Sequence, residues 1–219
     1  MLRHFDDDLN QFKETLLIMG SHAESALAQA VQAVTERNDQ IAEQVQQNDD
    51  IMDQYEIDID DMAINLLAKA PLANDLRLIT VAMKISQNLE RIGDEATTIA
   101  RRAVELNTEP QLKTYIDIPR MAAITLGMLR ESLDAFVNKD TEKARAIIPR
   151  DKEVDAINRQ LYRELAGFMA ENPATIPRCL SLITISKSLE RVADHATNIA
   201  QEVVYLCEAR DIRHEAHKQ

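Results

Sequence analysis

Two twelve-residue stretches carry the chemistry-bearing residues of this chain. Residues 89–100 read LERIGDEATTIA and residues 189–200 read LERVADHATNIA, identical at eight of twelve positions and 100 residues apart. Each holds a Glu and an Asp four residues apart, Glu90 with Asp94 and Glu190 with Asp194. Upstream of each lies a second pair at the same spacing, Asp49 with Asp53 and Asp151 with Asp155. On a helix, side chains four apart stand one above the other, and like charges there destabilise by a few tenths of a kcal/mol. Something should offset that repulsion. Where two such helices run level and antiparallel, four carboxylates converge on one groove, an oxygen-only donor set that suits Mg, Mn, Ca or iron and suits soft-ligand metals poorly. The same pattern also describes a repeated solvated face with Arg91 and Arg191 as ion-pair partners, and spacing leaves both readings open.

The elements that must position these groups are helices. The chain has 219 residues, 45% of them apolar, only 4% aromatic with no Trp, and 4 Gly and 6 Pro in all. That composition points to an all-α protein with a real core. Helical periodicity runs over about 4–36, 39–69 and 73–107, with breaks at ERND and KAPLAND, then over about 116–138, 141–171 and 174–213, with breaks at VNKD and ENPATIP. Pro149 either kinks the fifth of these or marks its true start.

The apolar seams repeat as well. Ile85, Leu89, Ile92, Ala96, Ile99 and Ala103 are matched at an offset of 100 by Ile185, Leu189, Val192, Ala196, Ile199 and Val203. Met52, Tyr55, Ile59, Met62 and Leu66 form a second seam, with Val154, Ile157 and Leu161 as counterparts at an offset of 102. The expected architecture is two pseudo-repeated antiparallel three-helix bundles, six long helices in all, with residues 1–109 as the first repeat and 110–219 as the second.

Charge and cysteine content narrow the function. A net charge of −12 argues against a phosphate-backbone partner, so no nucleic acid is expected. The halves differ: residues 1–109 hold 21 acids and 9 bases, residues 110–219 hold 16 of each. The acidic start and the lack of any apolar run near the roughly 18 residues of a membrane span predict a cytoplasmic protein. Cys179 and Cys207 form no CxxC motif and read as ordinary thiols. No nucleophile–base pair, Gly-rich phosphate loop or His cluster is present, so the chain is expected not to be an enzyme. A carboxylate-bridged di-iron oxidase or iron store would need Glu-x-x-His motifs projecting into the core. Here Glu90 is followed at the third position by Gly93 and Glu190 by Ala193. His195 stands where the first copy has Glu95, so it reads as a local variation, and Tyr55 and Tyr162 read as packing residues.

The duplicated unit, the two third-helix stretches, the DxxxD of each second helix and the opening HFDDDLNQFKETLLIMG together resemble the PhoU family over essentially the whole chain. The second copy carries the ADHA and following Asn common in that family, as Asp194, His195 and Asn198; the first has Gly93, Glu95 and Thr98. The resemblance implies a cytoplasmic, homodimeric adaptor that couples the phosphate ABC transporter, through its ATPase subunit, to a sensor histidine kinase. Such an adaptor represses the phosphate-starvation response and meets the membrane only through its partners. It also implies metal ions, iron, Mn or Mg, held at Asp49, Asp53, Glu90 and Asp94 and at Asp151, Asp155, Glu190 and Asp194. A metal-free structural adaptor is the remaining reading.

Overall fold

The computed structural model describes residues 2–69 and 71–213; Ala70 of the KAPLAND loop and the outermost residues of both predicted repeats lie outside the described residues. Regular structure in the described residues is helical throughout. The first repeat contains α1 (Leu2–Glu36), α2 (Asp39–Gln47), α3 (Asp49–Leu67) and α4 (Ala73–Asn107). The second contains α5 (Asp117–Asn138), α6 (Thr141–Ile147), a 3-10 turn (Ile148–Arg150), α7 (Asp151–Glu171), a further 3-10 turn (Pro173–Thr175) and α8 (Ile176–Glu208). No helix among the described residues is long and apolar enough to cross a membrane.

The six expected rods are present, but the second of each half is broken: at Pro149, as expected in the second repeat, and also within 39–69, where periodicity predicted a continuous helix. In the second repeat the cause is Pro149, which has no N–H to give and crowds the preceding turn, so α7 starts only at Asp151. In the first repeat Asn48, with φ −93° and ψ 6°, ends α2 by donating its N–H to the Gln44 and Val45 carbonyls, and α3 starts at Asp49. Both breaks put a DxxxD aspartate at the first position of a helix, where the dipole favours negative charge.

The turn before each broken rod is duplicated in detail. Arg37 and Lys139 both adopt left-handed backbone, φ 56° and 54°. The next residue donates back to the helix just ended, Asn38 N–H to Ala33 O at 3.1 Å and Asp140 N–H to Ala135 O at 3.0 Å. Its side chain then caps the next helix, Asn38 accepting from the Gln40 and Ile41 N–H groups and Asp140 from the Lys143 N–H. The side chains differ in use. Arg37 reaches the end of α4, donating Nη2 to the carbonyls of Leu106, Asn107 and Glu109 at 3.2, 3.0 and 2.5 Å, whereas the Lys139 side chain is exposed. Glycine removes the left-handed penalty of about 1 kcal/mol at either position. Lys139→Gly should therefore stabilise the protein by about 0.5 kcal/mol, while Arg37→Gly should cost about 1–2 kcal/mol because charge-assisted bonds are lost. Urea denaturation of the two variants checks this, and equal signs would refute it.

Both predicted third-helix seams are fully buried. Of the middle-helix seams, Met52, Ile59, Leu66, Val154, Ile157 and Leu161 are buried, with Tyr55 and Met62 half-buried against them. The bundles share one contiguous core, joined by α1 on α5 and by α4 on α8. α4 and α8 run antiparallel: Arg77 donates to Leu206 O at 3.4 Å, Lys84 lies 3.1 Å from Glu202, Asn88 Oδ1 lies 3.0 Å from His195 Nδ1, Arg191 donates to Glu95 at 3.0 Å and Ser181 to Glu105 at 3.0 Å. The middle of this crossing falls at Gly93 and Ala193, so the two ExxxD motifs sit close to the pseudo-twofold axis relating the repeats.

Candidate metal centre

The first candidate site lies in the groove between the start of α3 and the middle of α4. Asp49 is half-buried and accepts a hydrogen bond from Thr97 Oγ1 at 2.9 Å, which ties the two helices together at this level. Asp53 and Asp94 are exposed and Glu90 is half-buried. The carboxylates act on one another across the groove. Glu90 is pushed up to about 7 by burial, then by Asp94 and Glu56, against a lowering from Arg91, with Asp53 raising it further. Asp94 is raised by burial and by Asp49 and Asp53. The two pairs therefore act on one another electrostatically across the groove.

Glu56 belongs to the same cluster and was not among the residues expected there. It stands three residues beyond Asp53, and burial, Asp60, Asp53 and Asp94 all raise its pKa. The signal was available in the sequence: Asp49, Asp53 and Glu56 follow the same four-three spacing as the seams. The counter-charge at this site is slight, since Arg91 Nε is 3.8 Å from Glu90.

The second site repeats the frame with different charge. Asp151 is pushed up to about 6 by burial and by Asp194, Asp155 and Glu190. Asp194 is raised by burial and Glu190, against Lys187. Lys187 pairs with Glu190, and Arg159 Nη1 lies 3.3 Å from Asp155. The counterpart of Glu56 is Asn158, which accepts a hydrogen bond from Ser186 Oγ. Thr197 Oγ1, the counterpart of Thr97 Oγ1, and Asp151 Oδ1 are both buried without a hydrogen-bond partner among the described residues. The first site thus holds five carboxylates and one distant cation, the second four carboxylates and two close ones.

Two expected partners are placed elsewhere. Arg191, read as an ion-pair partner for the repeated acids, crosses instead to Glu95 of α4, because the antiparallel α4–α8 crossing brings these two level. His195 is half-buried at that crossing against Asn88, its pKa lowered by burial; Glu95 raises it, and Arg91 and Arg191 lower it. Gly93 is a packing position: a Cβ there would lie 2.9 Å from Met52 Cγ. The counterparts are Ala193 and Val154, both fully buried, so one heavy atom has moved from the α3 side to the α4 side. Gly93→Ala should cost about 1–2 kcal/mol and Gly93→Ala/Met52→Val should recover most of it, as measured by chemical denaturation. An additive double variant would refute the swap.

As they stand, no three His, Cys, Asp or Glu side chains among the described residues form a ready-made metal cage. The donor chemistry nevertheless suits a hard cation: in each groove carboxylates raise one another's pKa, and among the described residues Asp151 Oδ1 has no hydrogen-bond partner. Cys179 is buried and Cys207 exposed, both as free thiols.

Fold and site together define an internally duplicated helical-bundle protein with an acidic groove in each repeat. The PhoU domain is matched twice, over residues 16–103 and 118–203, so the second match starts 102 residues after the first and ends 100 after it, the two offsets of the seams. The chain is 39% identical over 214 residues to the phosphate-specific transport system accessory protein PhoU homolog of Pseudomonas putida, covering 97% of this chain and 84% of the relative. It is 38% identical to the protein of that name from Aquifex aeolicus, covering 97% and 96%. The crystal structure of PhoU from Pseudomonas aeruginosa superposes with a TM-score of 0.91 at 38% identity, over 94% of this chain and 100% of that one. The phosphate transport system regulatory protein PhoU from Streptococcus pneumoniae gives a TM-score of 0.89 at 29% identity, over 95% and 99%. The chain belongs to the PhoU family.

Proposed function

We propose that this protein is a cytoplasmic accessory and regulatory adaptor of phosphate uptake. In this reading it couples a phosphate ABC transporter, through the ATPase subunit, to a sensor histidine kinase, and holds the phosphate-starvation response off when phosphate is plentiful. It works as a homodimer by differential binding rather than by chemistry of its own, with metal ions held in the carboxylate grooves. The observation that carries this is the double PhoU-domain match at the offsets of the carboxylate motifs. Iron, Mn or Mg would be held by Asp49, Asp53, Glu90 and Asp94 in the first groove and Asp151, Asp155, Glu190 and Asp194 in the second. The metal would supply positive charge that relieves the crowded carboxylates.

Deleting the gene in its host should raise expression of phosphate-starvation genes in high phosphate, and reintroducing it should restore repression. Unchanged expression would refute the regulatory reading. Metal analysis of protein purified without chelator or affinity tag separates the metal-binding adaptor from a metal-free one. The di-iron oxidase or iron-store reading finds no support in the geometry, since the carboxylates line grooves between helices and neither ExxxD supplies the histidine that such a centre uses.

A further inference from the structure

A cavity of about 720 Å³ opens between the end of α4 and the start of α8. Arg102 in its wall is eight residues past Asp94 on α4, and Thr184 is six before Glu190 on α8, so it lies about 9–12 Å along the helices from the carboxylate motifs. Leu106, Pro177, Leu180 and Ile183 supply its apolar wall, and Leu180 is 53% exposed. The duplication shows why the cavity is open. At the other end of the α4–α8 crossing, Lys84 lies 5.3 Å from the centroid of the Tyr205 ring and 3.1 Å from Glu202, which Arg213 also approaches at 3.5 Å. At an offset of 100 the counterparts of Lys84, Tyr205, Glu202 and Arg213 are Thr184, Glu105, Arg102 and Lys113. Thr184 and Glu105 fill less space than Lys84 and Tyr205, and Lys113 turns away to Asp117 and Glu164. What three long side chains fill at one end therefore stays open at the other.

Donors without acceptors collect around this cavity. Arg102 Nε, Arg178 Nε, Arg37 Nη1 and Tyr115 Oη are buried and make no hydrogen bond among the described residues. Burial raises the Tyr115 pKa, while Arg37 and Arg178 lower it, so these three groups lie around one point. Arg37 is anchored there by the carbonyls that end α4, and Arg178 by donating Nη1 to Pro110 O at 2.9 Å. Arg178 Nε faces Glu109 Oε2 at 3.1 Å without the alignment of a hydrogen bond, and the Glu109 side chain is 47% exposed. Glu105 is already taken up by Arg102 at 2.6 Å and Ser181 at 3.0 Å, with Arg101 adding positive charge beside it. In a chain of net charge −12, four arginines thus face two glutamates here. A buried donor left unpaired costs about 1–3 kcal/mol, so the cluster calls for an acceptor.

We propose that this cavity binds a small organic anion, its charged oxygens on Arg178, Arg37 and Tyr115 where Glu109 now approaches, and its apolar body against Leu106, Leu180 and Ile183. An apolar wall with a few convergent polar groups is the general make-up of a small-ligand site, and the volume is of that order. Guanidinium forks suit a carboxylate and a phosphate monoester alike. The exposed Glu109 carboxylate is then a resident competitor at the rim, which the incoming anion displaces. The site goes beyond the regulatory reading and does not rest on it.

The test is calorimetric titration of the full chain, freed of metal by chelator and then of the chelator, so that no cation in the carboxylate grooves can hold an anion. The probes are n-hexyl phosphate, hexanoate, hexanol and inorganic phosphate. At least one of the two hexyl anions should bind about tenfold or more tighter than both hexanol and inorganic phosphate, and the tighter of the two names the oxyanion. Glu109→Gln should tighten its binding about threefold, because the competing carboxylate leaves the rim. Arg178→Gln should weaken it about tenfold or more, through the lost charge-assisted bonds. Leu180→Asp should weaken it about as much by setting a like charge beside the apolar body, and its exposed position leaves circular dichroism unchanged. Arg178 also holds Pro110, so Glu109→Gln and Leu180→Asp carry the test by themselves if Arg178→Gln does not fold. Hexyl anions that bind no tighter than hexanol or inorganic phosphate, or that bind the folded variants as they bind the unmodified chain, overturn the site.

Discussion

Chelator treatment should lower the unfolding temperature of this protein, and most of that drop should vanish in Asp53→Asn/Glu90→Gln while persisting in Asp155→Asn/Glu190→Gln. The expectation follows from how each groove balances its charge. Between Asp49 and Asp61, α3 carries seven acids and no base. Among the described residues only Arg91 approaches the first groove, 3.8 Å from Glu90, while Glu56 adds a fifth carboxylate. In the second, Lys187 holds Glu190, Arg159 holds Asp155, and Asn158 replaces Glu56. A cation that binds the folded state alone stabilises it by about 2.7 kcal/mol at a concentration 100-fold above its dissociation constant. For a chain of this length that is a shift of about 5–10 °C. The groove with more uncompensated charge gains more from it. Loss of the chelator effect in the second variant, or in neither, would overturn this ranking. No chelator effect in the unmodified chain would favour the metal-free adaptor.

How much of this was legible beforehand divides along contact range. The seams at offsets of 100 and 102, and the four-residue spacing of Glu90 with Asp94 or Asp49 with Asp53, are local periodicities, and the helices express them directly. The breaks before Asp49 and Asp151 were half legible: Pro149 announces one, but Asn48 ends α2 through ordinary backbone bonds that no breaker residue signals. What escaped depends on how helices cross. Arg191 meets Glu95 and not Glu190 because α8 runs antiparallel to α4 about Gly93 and Ala193, a relation that spacing within one helix does not contain. Gly93 is constrained by Met52 on another helix, which spacing within α4 does not contain. Glu56 lies one turn beyond the DxxxD pair, which marks only the start of the groove along α3.

In metal-free protein, Glu90→Gln should remove a loss of stability that the unmodified chain suffers as pH rises from about 4.5 to about 7. The Glu90 pKa is raised from its ordinary 4.5 to about 7, chiefly by burial and then by Asp94 and Glu56. Across that window the unfolded chain releases this proton first, so the folded state binds more protons and stability falls with rising pH. The contribution is complete below about 4.5 and gone above about 7. Asp151 adds a smaller slope of the same sign between 3.8 and about 6, which both proteins share. At pH 8 the Glu90→Gln variant, neutral at this position, should be the more stable by about 1 kcal/mol once solvent screening of the open groove is allowed for, or about 2–4 °C. At pH 4 the two should coincide. Adding the cation reverses the order at pH 8, because the ionised carboxylate attracts the cation with its charge and the substituted amide supplies none. Thermal unfolding at pH 4, 6 and 8, with and without metal, reads both signs in one series. If metal-free Glu90→Gln tracks the unmodified chain at every pH, or if metal stabilises it equally, Glu90 is a solvated surface acid and the groove gathers no cation through it.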